Sequence, residues 1–171
     1  MKALSLHRGA GILLAQLLLL MVSLPAWAAL GDNAASVLTD QSRMKGTLRS
    51  ADHRTYVLHE ITTPSGAKVR EFVSPGGAVF GLAWDGQFPP NFQQLLGPYF
   101  QQAQQAQQAK REAQEKAATD AGGKPVRGGR GPTIIETPGL VLYQTGHMRS
   151  FHGLAYIPQL VPQGVETSEI H

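Results

Sequence analysis

RTYVLHEITTPSGAKVREFVSPGGAVFGLAW, residues 54–84, decides the fold. Arg54–Ile61 (RTYVLHEI), Lys68–Val73 (KVREFV) and Ala78–Trp84 (AVFGLAW) are rich in β-branched and aromatic residues, which favour strands. Thr63-Pro64-Ser65-Gly66 and Ser74-Pro75-Gly76-Gly77 separate them, with Pro and Gly placed to reverse the chain. Alternation along Lys68–Val73 sets Val69, Glu71 and Val73 on one face and Lys68, Arg70 and Phe72 on the other. The same period predicts that Phe80, Leu82 and Trp84 share a face. Asp85-Gly86 closes the last run. The pattern is an antiparallel meander.

Working outward, Pro89-Pro90-Asn91 stops the sheet, and Asn91 is placed to cap a short helix over Phe92–Leu96. Gly97-Pro98 breaks that helix. Tyr99–Ala118 is almost all Gln, Ala, Lys, Glu and Arg, strong helix formers with little apolar area beyond Tyr99 and Phe100. Its first turns are expected to dock on the sheet and the remainder to project into solvent. Residues 120–132 (DAGGKPVRGGRGP) read as a flexible linker. Thr133–Glu136, Gly139–Gln144 and Met148–Ile157 read as further strands, with a turn at Thr145-Gly146 and a bulge at Gly153. Pro158 and Pro162 end the last strand before a polar tail. Before the meander, residues 29–53 are polar and mixed, and read as a flexible lead-in or a partial first strand. The expected fold is α+β, one domain over residues 54–171. It has an antiparallel sheet of about five strands packed on one side against one helix, with the Gln/Ala helix and the Gly/Arg-rich linker as an insertion.

Met1–Ala28 has the layout of a secretory signal peptide. Lys2 and Arg8 come first, then an apolar run from Gly11 to Leu24, then Pro25 and the small-residue pattern Ala26-Trp27-Ala28. The run of about 14 residues is short of the roughly 20 that cross a bilayer, so cleavage near Ala28, rather than a stable anchor, is the expectation. The chain has no cysteine. That excludes a lipid-modified N-terminal Cys, disulfides, thiolate metal ligands and Cys nucleophiles. The formal charge is +3. Lys2 and Arg8 would depart with the leader, leaving a nearly neutral chain, so bulk charge does not point to nucleic acid. The Arg-Gly-Gly-Arg-Gly portion of the linker is one short copy and reads as solvated tether.

No catalytic motif is present. His53, His59, His147, His152 and His171 show neither HxH nor HExxH spacing. His147 and His152 lie five apart, which on a regular strand places them on opposite sides unless a turn or bulge intervenes. His59 points away from its neighbour Glu60. Ser74 lacks the Gly-x-Ser-x-Gly frame, and Gly76-Gly77 lacks the Lys-Ser/Thr of a phosphate loop. Glu71 beside Arg70 reads as a surface ion pair. Trp84 is either a core residue or, with Phe88, the lining of a groove. The candidates for ligand contact are His59, Glu60, Trp84, His147, Arg149 and His152. No metal site and no cofactor are implied.

The run Tyr56–Glu60, Pro64-Ser65-Gly66, Val69–Val73, Gly77–Phe80 and Trp84-Asp85-Gly86 resembles an uncharacterised family of small exported bacterial proteins, domain of unknown function 2844. Leu95-Leu96-Gly97, Gly139-Leu140-Val141, Gly146–Arg149, Gly153–Pro158 and Pro162–Val165 fit the same scheme. The resemblance lends no catalytic residues. It implies a Gram-negative bacterium and the cell envelope. The expected function is a non-enzymatic periplasmic protein that binds an envelope protein or peptide, with no nucleic-acid partner. The alternative is a small-ligand or metal-dependent enzyme using His59, His147, His152 and Glu60. A third reading is a regulator recruited through Arg127 and Arg130.

Overall fold

A computed structural model describes residues 30–120, 122 and 131–171. The leader, Arg127 and Arg130, and most of the expected linker lie outside the described residues. In chain order the elements are α1 (Ser36–Met44), β1 (Thr47–Asp52), β2 (Val57–Thr62), β3 (Lys68–Val73), β4 (Val79–Gly86), α2 (Phe92–Leu96), α3 (Tyr99–Asp120), β5 (Thr133–Thr137), β6 (Leu140–His147) and β7 (Ser150–Tyr156). Short 3₁₀ turns follow at Pro158–Leu160 and Thr167–Glu169.

All strands join one seven-stranded antiparallel sheet, in the order β1-β2-β3-β4-β7-β6-β5. The α+β class and the meander hold, while the count of about five strands is corrected to seven. The first four strands and the last three are each a meander, and the β4–β7 ladder joins them. The Pro-Gly turns behave as their sequence dictates. Gly66 and Gly77 both sit at φ +82°, and each donates its N–H back to Thr63 or Ser74. Asn91 caps α2 by accepting the Gln94 N–H at 3.1 Å.

Residues 29–53 are not a flexible lead-in where they are described. Asn33 forms a bridge with Ala78, α1 follows, and β1 forms the sheet edge on β2. The helix hides from a periodicity search because its inward face carries Ser36, Val37 and Asp40, two of them polar. β1 hides because five of its six residues are exposed, so no face alternates.

The sheet is covered on both faces, not on one. The helices lie on one face. Val37, Leu95, Leu96 and Ala103 pack there against Val69, Leu82, Trp84, Leu142 and Ala155. The opposite face carries a smaller core of Tyr56, Phe72, Phe80, Ala83 and Ile170. Ile170 retains 1% exposure, so the C-terminal tail is a lid over this second core. Phe80 does not share the face of Leu82 and Trp84. The β3–β4 register shifts between Phe72 and Val73, which pair with Gly81 and Val79, and leaves Phe80 as the extra residue of a bulge. One inserted residue sends the ring to the other side.

The last hairpin also departs from expectation. Its turn is Met148-Arg149, with φ of 37° and 69°, three positions beyond Thr145-Gly146. Gly146 is needed for contact: a Cβ there would lie 2.4 Å from Phe151 Cδ1. Gly153 is likewise no bulge. The β7 register runs through it on both sides, and it pairs directly with Trp84, whose indole lies over the position a Cβ would take. Helix α3 docks by its first turns, with Tyr99 and Phe100 against the core and Ala103 buried. Gln102 Nε2 donates to Thr137 Oγ1 at 2.8 Å and Lys110 Nζ to the Ile134 carbonyl at 3.2 Å. Beyond Lys110 the side chains are almost all exposed.

Candidate functional site

A cleft of about 400 Å³ opens where the C-terminal end of α1, the starts of β3 and α2 and the end of β4 meet. Met44, Val69, Trp84, Phe88, Pro89 and Pro90 make its apolar lining; Asn91 and Gln94 contribute polar groups. The sequence builds it simply. Asp85-Gly86 ends β4, and Pro89-Pro90 then prevents the chain from re-entering either a strand ladder or a helix before Asn91. The intervening loop carries Phe88, which stays 65% exposed although it is a large aromatic. Trp84 forms the floor and is 3% exposed, with its ring edge-on to Phe92 at 5.3 Å. Its indole N–H is buried without a hydrogen-bond partner among the described residues. The ring edge that carries this N–H, at Cε2 and Cζ2, lies over Gly153 of β7.

Behind the cleft stands a feature the sequence did not announce. Glu71 is 1% exposed and faces the helices, so the expected surface pair with Arg70 is corrected: Arg70 points to the other face. Glu71 meets Asp40 of α1, also 1% exposed, and the two carboxyls are hydrogen-bonded to each other. Gln94, a cleft residue, donates its side-chain N–H to Asp40 Oδ1. Burial, reinforced by the Asp40 charge and hydrogen bond, pushes the Glu71 carboxyl up to about 8. Asp40 is raised too, chiefly by burial, against the opposing pull of the Gln94 hydrogen bond. In sequence the only signal was the phase of Glu71, which shares its face with Val69 and Val73.

The candidate residues scatter. His59 lies on the helix-side face, opposite Glu71 in the ladder, with Nδ1 2.7 Å from Ser50 Oγ. Burial lowers its pKa. Glu60 faces the other way and bridges Arg70 at 3.0 Å and Lys68 at 3.7 Å. Arg70 also reaches Asp85 at 3.1 Å. His152 shares that open face, opposite Asp85, and its Nε2 is 2.6 Å from Ser150 Oγ. The Met148-Arg149 turn puts His147 on the same face as His152, because His147 pairs with Ser150. Arg149 is exposed at the turn itself. Glu60 and His152 sit three strands apart, about 14 Å at the usual strand spacing. His59 is on the reverse side of the sheet. Among the described residues no three His, Asp or Glu side chains are placed to hold a metal ion. Of the six candidates, Trp84 alone lines the cleft.

A family model described as "Protein of unknown function (DUF2844)" matches residues 26–170. The chain belongs to the DUF2844 family. The match takes in every described element of this DUF2844 chain, the cleft and the carboxyl pair included. Comparison with curated proteins and with solved structures gave no match. Among the described residues, no helix is long and apolar enough to cross a membrane.

Proposed function

We propose that this DUF2844 chain is an exported, non-enzymatic binding protein of the bacterial cell envelope, and that the Trp84 cleft takes a short apolar stretch of a partner polypeptide. The observation that carries the binding reading is the cleft itself: apolar walls, a tryptophan floor, and Phe88 standing in solvent at the rim. An extended peptide supplies what this surface lacks. Its apolar side chains fill the volume beside Phe88 and Pro89. Aromatic and proline-lined grooves recognise extended segments in this way. Export is supported by the charge, apolar run and small-residue pattern of Met1–Ala28, and by a family match that begins at residue 26, leaving the apolar run outside it.

Site-specific photo-crosslinking tests this. A benzoyl-phenylalanine placed at position 88 in producing cells is expected to give one discrete adduct, recovered with protein that has lost its leader. The same probe at Leu38, 61% exposed on α1, is expected to give none. Equal adducts from both positions, or none from position 88, would refute the binding reading. A retained Met1 on the recovered protein would refute export.

A further inference from the structure

Helix α1 meets the sheet through a pair of acids as well as through apolar contact. Its buried residues are Ser36, Val37 and Asp40, and Met44 packs half-buried against the same core. Two ionised carboxylates are both acceptors, so a hydrogen bond between Asp40 and Glu71 requires a proton on one of them. Glu71 Oε1 is buried and has no hydrogen-bond partner among the described residues, so that oxygen has no donor for a second negative charge. The surrounding groups are few. From α1, Arg43 favours the Asp40 charge, and from the turn before α1, Asp32 opposes it. Gln94 of α2 donates to Asp40. On β2 His59 lies across from Glu71, and on β4 the residue across from it is Leu82, which carries no charge.

The pair is tied mechanically to the cleft. Met44 lies one helical turn beyond Asp40 on α1 and forms one cleft wall; Gln94 forms another. We propose that the proton shared by Asp40 and Glu71 is a latch that holds α1 in place, and that its loss frees α1 and opens the Trp84 cleft at Met44. Control of binding rests on the cleft reading above; the latch does not.

The direction follows from linkage. Glu71 has its carboxyl held near 8 in the folded protein against an ordinary 4.5. Its contribution is present at low pH and is lost as pH rises through that upper value. His59 acts in the opposite sense. Its lowered pKa gives stability that is fully present above 6.5 and is lost as pH falls from 6.5 through its folded value. A window from near neutrality upward therefore isolates the carboxyl pair.

Amide hydrogen exchange on the protein recovered from the full-length gene tests the latch. Protection of the α1 amides, corrected for intrinsic exchange, is expected to fall about tenfold or more between roughly pH 6.5 and 9, while β4 amides hold. Glu71→Gln keeps a donor at the pair and is expected to flatten that profile. If Glu71→Gln does not fold, the Asp40→Asn/Glu71→Gln double variant, neutral at every pH, makes the same test. An α1 profile flat in the wild type, or equally steep in the variants, overturns the proposal. Loss of α1 protection with unchanged crosslinking from position 88 across the same range supports the latch and overturns its control of the cleft.

Discussion

Gly153→Ala should lower stability by about 2–3 kcal/mol, although it adds a single methyl group. The added Cβ would lie 2.4 Å from Trp84 Cζ2 and 2.6 Å from the Tyr143 carbonyl oxygen. Neither neighbour can yield cheaply. The indole is 3% exposed and wedged against Phe92, and the carbonyl belongs to the backbone of β6, the strand paired with β7. Gly146→Ala is the matched control. Its Cβ meets the Phe151 ring, a half-buried side chain at the sheet's end with room to rotate, so a smaller loss is expected. Urea denaturation reads both, as a shift in midpoint at constant slope. A Gly153→Ala protein within about 0.5 kcal/mol of wild type would mean that the indole does not lie across β7.

Phe80→Ala should be more damaging still, about 3–5 kcal/mol. Phe80 is fully buried, packed edge-on to Tyr56 and tilted against Phe72, with both ring centroids 6.1 Å away. The informative part is its coupling. Ile170 belongs to the same cluster although it is 90 positions along the chain, whereas Val37 lies in the core on the other face. A double-mutant cycle between Phe80→Ala and Ile170→Ala should be non-additive, and one with Val37→Ala additive within about 0.5 kcal/mol. The reverse pattern would put Phe80 back on the helix face.

The central meander was legible because its signals were redundant. Pro-Gly turns, β-branched runs and alternation agreed over residues 54–84, and the first-turn docking of the Gln/Ala helix followed from where its aromatics stop. What escaped notice did so for definite reasons. Helix α1 turns Ser36 and Asp40 inward, and β1 is an edge strand that half-buries Leu48 alone, so neither shows hydrophobic periodicity. The bulge at Phe80 breaks the period by one residue inside an otherwise uniform apolar run, where composition is blind to phase. Gly146 and Gly153 resemble turn and bulge residues, yet both are present to make room for rings, a reason that exists only once strands are paired. The polar-looking tail contains one aliphatic residue, Ile170, that closes a core, and a single residue gives no pattern.

The candidate site was legible to a lesser degree. Trp84 and Phe88 stood out as possible groove residues, and the cleft contains both. The histidines drew attention by residue type alone, and the sheet distributes them over two faces and a hairpin tip. The buried acid pair could not be read from sequence, because Asp40 and Glu71 are brought together by two elements, one of them unrecognised. Their contact joins α1 to the sheet, and Gln94 carries it on to the cleft.

The cleft as a binding surface is tested most directly by energy transfer from Trp84 to the apolar dye 1-anilino-8-naphthalenesulfonate. A Trp27→Phe background leaves Trp84 as the one indole in the chain, which has two tryptophans. Saturable transfer is expected near neutral pH, and Phe88→Ala, at an exposed position that should leave stability unchanged, is expected to weaken it several-fold. Transfer that never saturates, or that persists undiminished in Phe88→Ala, would contradict the account.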